Sequence, residues 1–334
     1  MESFLSKGAK ILVTGATGFI GATLVRQLSS SGYQVIGIGR TPPNEEFKPC
    51  FETFHVFDLN QTPFNTKLLK DVYAIINLAG LAHNASTGDE SLESAYMKLN
   101  AEFPKMLAIA AREMGVQKFI HLSSVKAVSE TSPRSQPLTE EAENIGEPAS
   151  LYGRSKRAAE KFIGEALKNS STQFIILRPP LVYGPNAKGT LLQLIRLVNL
   201  KVPLPLKSSK ARRSFISIHN LCSAIEACLD EKNTSSGVFF VSDGESVGVV
   251  ELVEMIGMGM NVKVWLFRCP EFILKFIIRT LGKVEIFEKL FLDLVIQSER
   301  FQRTFSWNPQ NKFQQDIQLM ADSYLREKNK KPNL

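Results

Sequence analysis

The 334-residue sequence predicts an α/β fold: a doubly wound parallel sheet carrying a smaller mixed α/β lobe toward its C-terminus. Three observations lead there. Short apolar runs alternate with helix-spaced segments through the first half of the chain. The first run meets its helix through Gly15, Gly18 and Gly21. The alternation stops after Pro179. Strands that read as continuous apolar runs, each followed by a helix, belong to a sheet covered on both faces.

The elements follow in order. "ILVTG" is a β run, and "ATLVRQLSSSG" has helical spacing that ends at Gly32. "YQVIGIGR" is a second buried strand and "FHVFDL" a third. "VYAIINLAG", the helix "LESAYMKLNAEFPKMLAIAAREMG" and "KFIHLSS" continue the rhythm, and the helix beginning "SLYGRSK" and the strand "QFIILRP" complete it. Past Pro179 come loops, "PLPL", two short strands ("SFISIH" and "GVFFVSD") and an apolar stretch over 264–296. Residues 1–178 are therefore expected to form the main domain. Residues 179–334 are expected to form a lobe over the carboxyl edge of the sheet, with some elements returning to the main domain.

The bulk numbers exclude several classes. Hydrophobic content of 44% and charge of 22% are ordinary for a globular chain. Forty basic against 33 acidic residues leave a net charge of +7, a mild bias that asks for no nucleic-acid partner. The four cysteines form no C-x-x-C and the four histidines lack metal spacing, so neither a disulfide frame nor a metal site is expected. "MESFLSKGAK" has no apolar signal core, which makes the cytoplasm the expected compartment. Charged residues interrupt 264–296, so a clean spanning helix is not expected there. Its mixture of bulky apolar and basic residues suits a bilayer surface. The expectation taken here is instead that its helices close the lobe and bury their apolar faces.

The glycine turn sits between a strand and a helix. There glycine lets the backbone approach a pyrophosphate, and the helix N-terminus supplies N–H donors. That is the signature of a Rossmann-type NAD(P)-binding domain, with Gly15, Thr17, Gly18, Phe19, Ile20 and Gly21 around the cofactor. A carboxylate at the end of the second strand would bind the adenine ribose and repel a 2′-phosphate. Gly39 and Arg40 stand there instead, which favours NADP, with NAD left open. Asp58, with Leu59 beside it, could reach the adenine or cap the next turn.

Tyr152 and Lys156 stand four apart and share one face of a helix. An ammonium near a phenol stabilises the phenolate, so Tyr152 is expected to titrate below about 10 and to pass a proton near neutral pH. Ser124, at the end of "KFIHLSS", can converge with them outside the carboxyl ends of the strands. A hydroxyl and a phenol bonding one oxygen, beside a nicotinamide, suit the interconversion of an alcohol and a ketone.

With "TGATGFIG", "INLAG", "SS" at 123–124, "YGRSK", "LRPPLVYGP", "RRSFISIHNL" and "LFLDLVIQSERFQRTFSWNP", nearly the whole chain resembles the extended short-chain dehydrogenase/reductases. These are the nucleotide-sugar epimerases, dehydratases and reductases. The resemblance implies that Leu78, Ala79, Gly80 and Pro179 line the cofactor, with Pro180 beside them, and that Asn100 steadies the turn near Gly80. It implies catalysis by Ser124, Tyr152 and Lys156, a UDP-sugar substrate, and Arg213 gripping its diphosphate. Lys188 and "PLPL" would line the sugar-nucleotide pocket. The family's 4,6-dehydratases carry an Asp-Glu pair where Val125 and Lys126 stand, which argues against water elimination. Leu181 replaces an asparagine that contacts the substrate phosphate in UDP-galactose 4-epimerases. The resemblance therefore points first to NADPH-dependent reduction of a UDP-4-keto-6-deoxy-N-acetylhexosamine at C4 in surface-polysaccharide biosynthesis. A UDP-hexose 4-epimerase is the alternative, and a steroid-like or lipid-linked ketone a more distant one. A dinucleotide-sensing regulator on the same fold is disfavoured by the complete Ser-Tyr-Lys set. A homodimer packed through two helices is common in the family.

Overall fold

Apolar residues that alternate between two faces of a strand require cover on both, and the strands of this chain obtain it. The computed structural model describes residues 8–57, 64–82, 90–134, 136–141, 146–187, 189–280 and 290–330. Strands β1 (Lys10–Thr14), β2 (Gln34–Gly39), β3 (Thr53–Val56), β4 (Val72–Asn77), β5 (Lys118–Leu122) and β6 (Gln173–Arg178) pair in parallel. Helices α1 (Phe19–Ser30), α2 (Glu90–Met97), α3 (Phe103–Glu113) and α4 (Leu151–Ala166) connect them. The order across the sheet is β3-β2-β1-β4-β5-β6, closed by a seventh strand from beyond the lobe's first elements. The order reverses direction between β1 and β4. Their carboxyl ends, at Thr14 and Asn77, open the crevice where such sheets bind ligands.

Odd and even residues of each strand enter different cores. Ile11, Val13, Ala74, Ile76, Ile175 and Leu177 pack with Leu24 and Leu28 of α1. Leu12, Ile75, Phe119 and Ile176 pack with Leu107 of α3 and Ile163 of α4. At about 1.5–3 kcal/mol for each large apolar side chain removed from water, these two layers dominate the stability of the sheet.

After β6 the chain turns through Pro179 and Pro180 into β7 (Leu181–Tyr183), α5 (Thr190–Asn199) and β8 (Arg212–Ser217). It continues through α6 (Ile218–Ala227), β9 (Gly237–Phe240), β10 (Ser246–Gly248), α7 (Val249–Gly259), α8 (Glu271–Thr280), α9 (Glu299–Phe305) and α10 (Phe313–Lys330). β7, β8 and β10 make a second, three-stranded sheet. Leu191, Leu194 and Ile195 of α5, Val253 and Ile256 of α7, and Ile317 and Met320 of α10 form the lobe's own core. β9 is the seventh strand of the main sheet, α6 packs on α1, and Phe301 and Phe305 of α9 enter the main core. A boundary at 178 is thus crossed several times. Buried Tyr183 of β7 donates to Asp243 Oδ2 at 2.8 Å, and Asn220 Nδ2 of α6 donates to Asp243 Oδ1 at 2.8 Å, tying lobe to main body.

The burial expected for 264–296 fails over its described N-terminal part. Leu274 of α8 enters the lobe core, but Phe272 and Phe276 are exposed, as are Trp265 and Phe267 before them. Spacing of i and i+4 carries both phenylalanines to the outer side of α8. Residues 281–289 lie outside the described part. No helix among the described residues is long and apolar enough to cross a membrane.

Candidate active site

The turn from β1 to α1 is built for close approach. Gly15 has φ +67°, a left-handed conformation, and a side chain there would press on the backbone of Leu78 and Ala79 at 3.0 Å. A Cβ on Gly21 would collide with the Gly15 carbonyl oxygen, so α1 is held against the turn. Ala16 N donates to Ile38 O at 3.1 Å, which seats the turn on β2. Gly18 caps α1 in extended backbone and is exposed, with Thr17, Phe19 and Ile20 partly buried around it. The bare backbone N–H groups at this helix start fit a dinucleotide pyrophosphate.

At the end of β2, Gly39 is buried against Thr17 Oγ1, and a Cβ there would approach that oxygen to 2.9 Å. Arg40, next in the chain, is exposed and has no ion-pair partner among the described residues. Asp58 and Leu59 lie outside the described residues, as does Lys188.

The turn after β4 is clamped from two sides. Thr14 Oγ1 donates to Asn77 Oδ1 at 2.5 Å and accepts from Ala79 N at 3.2 Å. Asn77 Nδ2 lies 3.0 Å from His121 Nδ1, which places the imidazole proton on Nε2. Burial, with the Lys156 charge, drives the His121 pKa well below its usual value and keeps the ring neutral. On the other side, Asn100 Oδ1 accepts from Leu81 N at 2.7 Å. Its Nδ2 donates to Leu81 O and to Ser155 Oγ, both at 3.0 Å. Asn100 sits in a π-helical turn between α2 and α3, and it joins the turn after Gly80 to α4. A Cβ on Gly80 would reach 3.0 Å from Asn100 Oδ1 and 3.4 Å from Lys156 Nζ. Gly80 thus lies directly before the lysine ammonium, while Leu78 and Ala79 lie against the Gly15 turn.

α4 begins with Ser150, whose Oγ accepts from Gly153 N at 3.2 Å and fixes the first turn. Tyr152 and Lys156 follow on one face, with Nζ 6.0 Å from the Tyr152 ring centroid. Ser124 caps the short turn after β5, where its Oγ accepts from Lys126 N at 3.3 Å. Its side chain also hydrogen-bonds the Tyr152 phenol. The three residues converge as expected. Their electrostatics do not follow expectation. Burial pushes the Tyr152 phenol up to about 12, and the Ser124 bond offsets only part of that. Burial also brings the Lys156 ammonium down to about 8, opposed by Glu160. The ammonium donates to Leu122 O at 2.7 Å rather than to the phenol, so the expected depression of Tyr152 below 10 is corrected.

Three supports escaped the sequence reading. Glu160 and Arg178 form a buried bidentate pair, with Arg178 Nη2 to Glu160 Oε2 at 2.6 Å, and Ser123 Oγ donates to Glu160 Oε1. The signal was present: Glu160 is four residues beyond Lys156, in the same helical stripe as Tyr152. Tyr96 packs edge-on against Tyr152 at 6.4 Å between ring centroids, and His121 completes the Thr14–Asn77 network. Nothing local marked these two.

The other predicted positions lie on the turn after β5 and on the elements that follow β6. Pro179 and Pro180 are buried directly after β6, and Val125 N donates to Pro179 O at 3.0 Å. Leu181 is exposed at the start of β7. Arg213 is partly buried on β8, and its Nη1 donates to Leu292 O at 3.0 Å. Val125 is buried, and Lys126 pairs with Glu130 at 2.7 Å.

A family model described as the NAD dependent epimerase/dehydratase family matches residues 11–241. A UDP-glucose 4-epimerase of Vibrio cholerae is 31% identical over 322 residues, covering 96% of this chain and 97% of that protein. Among solved structures, UDP-glucuronic acid 4-epimerase from Bacillus cereus in complex with NAD aligns with a TM-score of 0.74 at 22% identity, covering 95% of this chain and 99% of that one. UDP-N-acetylglucosamine 4-epimerase from Methanobrevibacter ruminantium aligns with a TM-score of 0.77 at 22% identity, covering 96% and 100%. At that identity the structural likenesses speak for the fold.

Proposed function

The chain belongs to the NAD dependent epimerase/dehydratase family, and on that premise we propose that it is an NADPH-dependent reductase of a UDP-linked 4-keto-6-deoxy-N-acetylhexosamine, acting at C4 in surface-polysaccharide synthesis. The observation that carries the reading is the convergence of Ser124, Tyr152 and Lys156 beside the cradle of Gly15, Gly18 and Gly80. The sugar-nucleotide part is supported by what the relatives act on and by the guanidinium of Arg213, partly buried on β8.

Ser124 Oγ and Tyr152 Oη bond the C4 oxygen and polarise the carbonyl. The nicotinamide, when bound, supplies the hydride to C4. Tyr152 holds its proton at neutral pH because burial raises its pKa to about 12, and it delivers that proton to the developing alkoxide. Lys156 orients the cofactor ribose, and its charge stabilises the phenolate left behind. Glu160 and Arg178 hold the base of α4 against β6 and so keep Lys156 in place.

Selection of NADPH rests on Gly39, which brings no carboxylate, and on the exposed Arg40. Charge-assisted hydrogen bonds to a 2′-phosphate contribute roughly 1.5–3 kcal/mol each. Arg40→Ala is expected to weaken NADPH binding about tenfold or more while NADH binding stays nearly constant, measured by fluorescence titration with each cofactor. Equal losses for both would remove the assignment.

Arg213→Ala is expected to raise KM for the nucleotide sugar with cofactor affinity preserved. An unchanged KM would show that Arg213 stays on the Leu292 carbonyl and that the diphosphate is held elsewhere.

A UDP-hexose 4-epimerase is the second reading, favoured by the full-length likeness to the Vibrio cholerae enzyme. One experiment separates the two. The protein is incubated with UDP-4-keto-6-deoxy-N-acetylglucosamine and NADPH, and separately with UDP-glucose and UDP-N-acetylglucosamine without added cofactor. Net NADPH oxidation with the keto sugar supports the reductase. Cofactor-neutral interconversion of C4 epimers in the second arm, without net oxidation in the first, replaces it with the epimerase.

A further inference from the structure

The outer side of the lobe carries aromatic rings that the fold leaves in water. Before α8, residues 262–267 run extended beside Leu204: Leu204 N donates to Trp265 O at 2.8 Å and Phe267 N to Leu204 O at 3.1 Å. Alternation along this segment turns Val262, Val264 and Leu266 toward the lobe core and Lys263, Trp265 and Phe267 outward. α8 starts four residues after Phe267 and adds Phe272 and Phe276, one turn apart. Trp265 is 63% exposed, Phe272 74% and Phe276 71%. Leu200 and Val202, on the neighbouring segment, are exposed as well. Four large rings in this state amount to an apolar surface on the order of several hundred Å², the size of the largest patch on an ordinary monomer, which is often a functional one.

The charges around these rings point to the occupant. Lys201, Lys263, Arg268 and Lys275 are exposed among them, and the one acid within 261–276 is Glu271. The segment 200–210 that pairs with 262–267 holds Lys201, Lys207 and Lys210 and no Asp or Glu. A second copy of the chain would bring the same positive field onto itself, which opposes self-association through this face. A negatively charged bilayer surface satisfies both parts of the pattern. Its headgroups attract the lysines and arginines at about 1 kcal/mol each, and its boundary region accepts tryptophan and phenylalanine rings. We propose that the face formed by Trp265, Phe267, Phe272 and Phe276 docks this protein peripherally on an anionic lipid surface. The inference does not depend on which sugar the active site takes.

The chain offers its own probe, because it has two tryptophans: Trp265 is exposed, and Trp307 is 4% exposed in the main core. The full-length protein is floated with vesicles of phosphatidylglycerol and phosphatidylcholine, and with phosphatidylcholine alone, while tryptophan emission is followed. Flotation with the anionic vesicles is expected to be at least about tenfold stronger, to fall at high salt, and to shift emission to the blue. Phe272→Glu/Phe276→Glu is expected to lose that binding by about tenfold or more with thermal stability and NADPH binding unchanged, since both rings lie in water. Trp265→Ser is expected to abolish the blue shift. Absence of binding by the unaltered protein, equal binding by the double variant, or a dimer in sedimentation that the same double variant dissociates without any vesicle binding would each overturn the proposal.

Discussion

Tyr152→Phe is expected to lower kcat by at least about a hundredfold, the lower end of what a positioned acid–base group contributes. Substrate KM and thermal stability are expected to stay close to those of the unaltered protein. The substitution removes one oxygen and keeps the ring, so the edge-on packing with Tyr96 at 6.4 Å survives. What disappears is the hydrogen bond with Ser124 and, on the proposed mechanism, the proton for the C4 alkoxide. The phenol is pushed up to about 12 by burial, so it is protonated throughout the neutral range. That state suits reduction, where the enzyme must give a proton, and makes the reverse oxidation dependent on the charge of Lys156. A Tyr152→Phe protein with near-normal kcat in steady-state assays would leave the α4 pair without a catalytic role.

Lys156→Met is expected to lower kcat by roughly a hundredfold and to weaken cofactor binding by about tenfold, two losses from one charge. Methionine is the informative replacement because the lysine stem is buried. Alanine would add a cavity at a cost of about 2 kcal/mol or more and mix a folding effect with the electrostatic one. The pH profile supplies an independent check. Burial lowers the Lys156 pKa to about 8, which means the buried amine holds its proton less tightly than a lysine in water does. The ammonium is therefore present below about pH 8 and lost as pH rises through it. In the free enzyme, kcat/KM should decline above that point, and the inflection should vanish in Lys156→Met. A profile unchanged by the substitution would place the titrating group elsewhere.

The helical face proposed as catalytic was legible because its information is local. Tyr152, Lys156 and, unrecognised, Glu160 repeat every four residues, so any helix through them aligns all three. The glycine turn was legible for a similar reason. The left-handed φ at Gly15 and the contact of Gly21 with the Gly15 carbonyl are constraints between near neighbours. Ser124 was expected beside Tyr152, but the role of Ser123 was not legible. Ser123 donates to Glu160 and Ser124 bonds Tyr152, and that choice depends on which side of β5 each faces once β6 and α4 are in place.

The sequence by itself determined the six alternating strands, the glycine turn and the Tyr152–Lys156 register, all through periodicity and steric limits acting over a few residues. The tertiary structure alone decided the rest. It placed residues 237–240 as the seventh strand of the main sheet, because a parallel strand is chosen by pairing with a partner some sixty residues away. It moved the Tyr152 phenol up and the Lys156 ammonium down, because desolvation depends on everything packed around a group and outweighed the Ser124 hydrogen bond at the phenol and the Glu160 charge at the ammonium. It left Phe272 and Phe276 outside, because the face of α8 that meets the core of α5, α7 and α10 is the one carrying Leu274, and both phenylalanines stand off that face.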